Sequence, residues 1–368
     1  MKKHQKSLRT GFTTGTAAAA AAKAALVCLL TGARPEKVRV RLLTGDRLTI
    51  AVERIRRLSD RQAEARVIKD AGDDPDVTHR ALIGARVTLL DAAGRAPDAV
   101  RIEGGPGVGR VTKPGLDVPT GEPAITPGPR RMIRQAVADV RNRSGARCPV
   151  AVQVFVPRGE ELARKTLNAR LGILGGISIL GTTGLVRPMS HEAYRATIGK
   201  AMDVARAAGI RTLVLTTGRR SERFAQRLRP ELPEEAFVQI GDYFAFSLQA
   251  AAERAFEDVI LAVFFGKAVK MARGVPHTHA ARSRQNLSQL ADWTFSETGD
   301  ADLAEQVRGA NTARHAFDML YPRHAAVVHR VGRRVLAAAR GFAGEKPAVH
   351  CLILDFQGRV IFAGGEPS

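Results

Sequence analysis

Four short apolar runs in the second half of the chain, at residues 177–180, 212–215, 237–240 and 259–265, each lead into glycine: Gly181, Gly218, Gly241 and Gly266. Stretches with helical patterning separate them, at 191–208, near 221–228 and at 246–255. In the first, Tyr194, Ile198, Ala201, Met202 and Ala205 share one face. Strands alternating with helices pack as a parallel sheet with right-handed crossovers, which predicts a Rossmann-like α/β domain. Ligands of such sheets bind beyond the carboxyl ends of the strands, where glycine lets a ligand approach the backbone. The GTTG run (Gly181, Thr182, Thr183, Gly184), Gly218, Gly241 and Asp242 are therefore the candidate ligand crevice. Asp242 suits either a ligand hydroxyl or the cap of the next helix.

The first 150 residues pattern differently. The cluster Thr13, Thr14, Gly15, Thr16 offers capping oxygens ahead of a run of alanines, the best helix formers. Strand-like runs follow at 38–43, 48–52, 63–68 and 85–90, separated by turn signals such as Thr44-Gly45-Asp46. The stretch 104–129 is dense in Gly and Pro and reads as a loop, functional or connecting. The expected fold class is thus α+β and α/β. An N-terminal domain over 1–150 carries a mixed or antiparallel sheet, and a second domain over 151–340 carries the parallel, Rossmann-like sheet. Residues 341–368 form a C-terminal hairpin turning at Gln357-Gly358, after helical segments at 303–320 and 324–339.

Charge narrows the partners. Lys and Arg total 57 against 36 Asp and Glu, a formal net charge of +21, so a polyanion is favoured. The arginines are scattered and aromatics make up only 5%, unlike the basic, aromatic-laced patch of a nucleic-acid binder. An anionic small molecule is expected, with no nucleic acid and no membrane partner; nothing opposes a homo-oligomer. Cys28, Cys148 and Cys351 are far apart and odd in number, which argues against a disulfide framework or a zinc site and fits a reducing cytoplasm. Lys2, Lys3 and Lys6 ahead of the alanine run imitate a signal peptide, but Lys23 interrupts that run. No 18 consecutive residues are apolar, so no membrane-spanning helix is expected.

The remaining motifs leave alternatives open. The Gly104–Arg110 run, GGPGVGR, lacks the G-x-G-x-x-G spacing of a dinucleotide site, and Pro106 opposes a helix start there. It reads as a ligand-touching loop or a plain turn. His277 and His279 flank Thr278 and suit hydrogen bonding or acid–base work; with no third ligand apparent, no protein-bound metal is expected. Lys267, Lys270 and Arg273 recur at about one helical turn and could face an anion together or form a solvated face.

Six blocks in order make the chain resemble a known family. They are LRTGFTTGTAAAAAAKAA from Leu8, DAGDDPDVTH from Asp70, IEGGPGVGRVTKPGLDVPTGEPAI from Ile102, LNARLGILGGISILGTTGLVRPMS from Leu167, QIGDYFAFSLQ from Gln239 and FGKAVKMARGVPHTHA from Phe265. Together they resemble the CbiD family, the cobalt-precorrin-5B C-1 methyltransferases of oxygen-independent cobalamin synthesis. Ala17 departs from a position where that family commonly has cysteine, and Arg219-Arg220 from one where Asn is frequent. The resemblance implies methyl transfer from S-adenosyl-L-methionine to C-1 of an anionic cobalt-corrinoid, with the donor in the glycine-lined crevice. The alternative is a tetrapyrrole carrier without transferase activity, which donor binding would distinguish. The substrate's carboxylates are expected at Thr13, Thr14 and Thr16, at Arg110 and Lys113, and at Lys267 and Lys270, meeting in one cleft between the domains. The catalytic residues stay unassigned, with His277 and His279 as candidates.

Overall fold

The computed structural model describes residues 8–91, 96–279 and 283–365, the side chains of 283–285 excepted. Lys2, Lys3 and Lys6 of the signal-like segment lie outside them. The chain divides into two compact units, Met1–His191 and Glu192–Ser368.

The main sheet of the N-terminal unit has five strands: β1 (Arg54–Ser59), β2 (Gln62–Ile68), β3 (Leu82–Leu89), β4 (Val100–Gly104) and β5 (Val150–Phe155). Their order is β1-β2-β3-β5-β4, antiparallel except for the parallel pair β5–β4. Strand β5 is the reason that a boundary at 150 fails. Its run VAVQVF sits inside this sheet, with Val152 opposite Val87 on one side and Ile102 on the other. Residues 173–186 also stay in this unit. Ile173–Leu174 pairs with Arg110–Val111, Gly176–Ile177 with Gly107–Val108, and Leu185–Val186 with Gly11–Phe12. The run at 177–180 is therefore no strand of the parallel sheet. Four apolar residues carry no period that says which sheet they join.

Helix α1 (Thr14–Thr31) lies against this sheet and is 83% buried. A helix apolar all round belongs in a core or a membrane. This one is enclosed by the protein: β2 and β3 cover one side and α2 (Pro127–Ser144) another. Lys23, buried in its middle, donates to Arg39 O at 2.7 Å and to Asp139 on α2 at 2.9 Å. Gly32, with φ +74°, ends the helix by donating to Cys28 O. Helix α2 went unread because Pro127-Gly128-Pro129 has loop composition. Proline in a first helical turn costs no hydrogen bond, and Met132, Ile133, Ala136, Val137 and Val140 form its buried stripe.

The C-terminal unit has the expected sheet: β6 (Thr212–Thr216), β7 (Phe237–Gln239), β8 (Asp258–Phe264), β9 (Ala348–Leu354) and β10 (Val360–Gly364), ordered β7-β6-β8-β9-β10. The first four are parallel and β10 is antiparallel. The closing hairpin is thus part of this sheet, turning at Gly358 with φ +87°. Helices α3 (His191–Ala207), α4 (Arg219–Leu228), α5 (Phe244–Glu253), α6 (Phe265–Met271), α7 (Ser283–Thr298), α8 (Ala301–Arg308), α9 (Ala313–Leu320) and α10 (Ala325–Ala343) accompany it. The segment expected as one helix over 303–320 breaks at Gly309, and Thr312 caps the second piece. From β6 the chain crosses to β7 on one side, then to β8 on the other. That reversal is the switch point where such sheets open a crevice.

Candidate functional site

The carboxyl ends of β6, β7 and β8 carry Gly218, Gly241-Asp242 and Gly266-Lys267. A Cβ at Gly218 would meet nothing within 4 Å, so the backbone there is open to a ligand. Gly241 is required for another reason. Its φ is +56°, and a Cβ would stand 2.8 Å from the Tyr194 hydroxyl that covers it. Next to it, Asp242 holds the site together. Lys267 on α6 forms a salt bridge to its Oδ1, and Thr278 Oγ1 donates to the same oxygen at 2.8 Å. Thr278 N also donates to Asp242 O at 3.0 Å, and Lys270 Nζ to Thr278 O at 3.2 Å. The segment 276–279 is thereby tied down over the strand ends. Both side-chain bonds to Asp242 fall on Oδ1, leaving Oδ2 to accept from a ligand.

The electrostatics follow from these contacts. Burial alone would raise the pKa of Asp242, but the bonds from Lys267 and Thr278 and the lysine's charge outweigh it, and the carboxyl sits below its ordinary value. It is an anion at neutral pH. Burial, reinforced by the charge of Lys267, lowers the pKa of Lys270, with Asp242 opposing. Burial, with Tyr243 and Asp242 nearby, raises that of Tyr194, which keeps its phenol a hydrogen donor. Tyr194 stacks on Tyr243 with centroids 5.0 Å apart, and His277 meets Tyr243 edge-on at 4.8 Å. The rings of His277 and His279 are 6.2 Å apart, and His279 is exposed. Thr278 between them, not singled out in the sequence, is the anchoring residue and is 1% exposed.

The other sequence candidates belong to the N-terminal unit. Gly181, Thr182, Thr183 and Gly184 belong to the N-terminal unit and wrap the start of α1. Thr183 O accepts from Leu43 N, and Gly184 O from both Thr13 N at 3.0 Å and the Thr16 hydroxyl at 2.6 Å. Gly218, Gly241 and Asp242 belong instead to the C-terminal unit. Thr16, fully buried, is an internal contact and offers no surface to a substrate. The helix start is already engaged, because Gly15 N donates to Leu180 O and Thr16 N to Thr13 Oγ1. Arg110 is exposed and donates to Gly121 O, and Lys113 packs along Gly172. Both belong to the N-terminal unit, whereas Lys267 and Lys270 belong to the C-terminal one.

Thr13 and Thr14 do line a cavity of about 190 Å³ inside the N-terminal unit, with Lys69, Asp76, Thr78, Asn168 and Ser178. Its apolar wall is Ile177, Leu180 and Val186. Lys69 is 1% exposed and pairs with Asp76 at 2.6 Å. Asp76 also accepts from Thr78 N at 2.7 Å and Thr78 Oγ1 at 2.6 Å. Burial would raise the Asp76 pKa, but the charge of Lys69 and these bonds hold it below the ordinary value. The sequence signal for this pair was a lysine closing an apolar strand just ahead of four aspartates. Among the described residues no group of three or more His, Cys, Asp or Glu is placed to hold a metal ion.

Comparison with known proteins places these features in a lineage. The family described as CbiD matches residues 1–188, and CbiD, C-terminal domain, matches residues 277–365. The chain is similar to the cobalt-precorrin-5B C(1)-methyltransferase of Salinispora arenicola, 48% identical over 365 residues that cover 98% of this chain and 93% of that protein. It is as similar to the enzyme of that name from Nitratidesulfovibrio vulgaris, 48% identical over 365 residues, covering 96% and 92%. Among solved structures it is similar to the cobalamin biosynthesis protein (cbiD) from Archaeoglobus fulgidus. That match has 31% identity and a TM-score of 0.40, and covers 70% of this chain and 78% of the other.

Proposed function

Because the chain belongs to the CbiD family, we propose that it is a cytoplasmic methyltransferase of cobalamin biosynthesis, carrying a methyl group from S-adenosylmethionine to C-1 of cobalt-precorrin-5B. The observation that carries this reading is 48% identity to a cobalt-precorrin-5B C(1)-methyltransferase along nearly the whole of both chains.

Methyl transfer to carbon is an in-line displacement at a sulfonium, so the protein's work is to align donor and acceptor and keep water out. The crevice at Gly218, Gly241 and Asp242 suits the donor. Open backbone at Gly218 admits close approach, and Asp242 Oδ2 is an ionised acceptor for ribose hydroxyls. Lys267 and Lys270 supply cationic groups beside it for substrate carboxylates. His277 and His279 stand for the proton that the alkylated ring must lose.

The test is incubation of the purified chain with methyl-labelled S-adenosylmethionine and cobalt-precorrin-5B. Label recovered at C-1 of the corrinoid is the expected result. A folded chain that binds the macrocycle but neither binds nor spends the donor would instead be the carrier.

A further inference from the structure

The carboxyl ends of three adjacent strands of the C-terminal unit hold an aromatic cluster apart from the Asp242–Lys267 network. Phe264 is the last residue of β8, Phe356 follows β9 in the hairpin turn, and Phe224 lies on α4, the helix that follows β6. Phe264 and Phe356 stack nearly parallel, 7° between planes with centroids 5.9 Å apart. Phe224 meets Phe264 edge-on at 6.1 Å. All three rings are partly exposed.

Three arginines lie on these rings. Arg314 of α9 stands 4.5 Å from the Phe356 centroid, Arg220 5.5 Å from that of Phe264 and 5.9 Å from that of Phe224, and Arg227 5.1 Å from that of Phe224. Arg220 also donates to Phe356 O. None of the three forms a salt bridge among the described residues. Of the acids on the same elements, Asp318 lies one turn from Arg314 without pairing with it, and two others are engaged elsewhere. Glu222 accepts from Gln239, and Asp355 pairs with Arg359. Arg158 with Glu161 and Arg211 with Glu257 show the contrasting, salt-bridged arrangement.

A guanidinium lying over an aromatic face keeps hydrogen-bond donors available to a ligand, because cation–π attraction acts through the ring face and uses none of them. Its side chain is also already ordered, so a ligand loses less entropy in engaging it. Three such groups with no carboxylate of their own, beside the ligand-binding edge of a parallel sheet, call for a ligand bearing several carboxylates. The donor does not fit, since its sulfonium makes it a net cation.

We propose that Arg220, Arg227 and Arg314, seated on Phe224, Phe264 and Phe356, are the anchor for the carboxylate side chains of the macrocyclic substrate. The proposal rests on the corrinoid reading of the substrate. It assigns binding to residues that lie outside the Asp242–Lys267 network.

The probe is cobyrinic acid, a cobalt corrin with free carboxylate side chains, titrated by its visible absorbance against the whole chain. Its heptamethyl ester is the uncharged control. The Arg220→Ala/Arg314→Ala variant should bind the acid at least ~10-fold more weakly, which is about 1.4 kcal/mol. The charge-matched Arg158→Ala/Arg211→Ala variant should bind like wild type, and the ester should not distinguish the variants. Arg220→Lys should recover only part of the affinity, because lysine keeps the charge without the planar fork. Equal losses in the two double variants would mean a diffuse effect of net charge and overturn the proposal. Displacement of the corrin by a short unrelated RNA at lower concentration would overturn it in favour of a general polyanion surface. Unchanged acid binding in the Arg220→Ala/Arg314→Ala variant, with wild type still methylating cobalt-precorrin-5B, would sink the anchor and leave the enzyme reading standing. Wild type that binds the acid through these arginines yet methylates nothing would do the reverse.

Discussion

Thr16 donates its hydroxyl to the carbonyl oxygen of Gly184, 2.6 Å away and 168 positions along the chain. The bond is buried and closes the GTTG loop over the start of α1. Gly184 needs its own conformation to present that oxygen: its φ is +97°, and a Cβ would stand 2.9 Å from Leu42. Thr16→Val keeps the shape and removes the donor. We expect a loss of about 1–2 kcal/mol of stability, seen as a lower Tm, with donor affinity of the folded protein unchanged. A fall in donor affinity at unchanged Tm would make this loop part of the donor site.

That contact also shows where the sequence stops being informative. The alternation of strand and helix from 191 onward is written in periodicity, and the sheet of the C-terminal unit follows from it, as does the crevice at Gly218, Gly241 and Asp242. The GTTG loop has the same local appearance as the true strand ends. What separates them is pairing with residues far along the chain, such as Ile177 opposite Val108, 69 positions away, in a strand only two residues long. Thr278 was hidden outright, and Lys69 was signalled only by the aspartates that follow it. Thr278 is defined by its bond to Asp242, 36 positions back, and Lys69, paired with nearby Asp76, by the cavity they line with Thr14.

The glycines of GGPGVGR serve backbone packing. Gly107 has φ +74°, and a Cβ there would lie 1.9 Å from Val156 O. Gly105 N donates to Val154 O at 2.7 Å, and Val156 N to Pro106 O at 2.9 Å. Gly107→Ala therefore combines left-handed strain with a backbone clash and should cost about 3 kcal/mol or more. Urea unfolding of the variant should show a much lower midpoint, or the chain should fail to accumulate in folded form. A midpoint within error of wild type would mean that this loop moves freely and is available to a ligand.

Lys267 now has a different expected phenotype from a lone substrate anchor. Its ammonium is bonded to Asp242 and lies 3.4 Å from Thr278 Oγ1, so Lys267→Ala removes a charge from the proposed donor crevice and loosens the segment 276–279. Donor affinity, measured by calorimetry, should fall ~10-fold together with kcat/KM, about 1.4 kcal/mol. Asp242→Asn should follow it in the same direction. Unchanged donor affinity with a raised KM for the corrinoid would make Lys267 a substrate contact alone.

The Lys69–Asp76 pair should make stability depend on pH in a defined window. Lys69 is buried and its counter-ion is about one-quarter exposed, with side-chain exposures of 1% and 26%. The folded-state pKa of Asp76 is depressed, since the charge of Lys69 and the bonds from Lys69 and Thr78 outweigh its burial. A carboxylate with a depressed folded value contributes stability that is complete above its unfolded value, about 3.9, and is lost as pH falls through the folded one. Asp76→Asn leaves Lys69 buried without its anion, which should cost about 2–3 kcal/mol at pH 7, below the range for fully buried pairs because Asp76 retains some solvent. Acid protonation of the wild type creates the same unpaired lysine. The Tm gap between wild type and Asp76→Asn should therefore hold steady from pH 7 to about pH 5 and contract below about pH 4. A gap of constant size down to acid unfolding would show that Asp76 contributes as a hydrogen-bond acceptor for Thr78, with its charge contributing nothing.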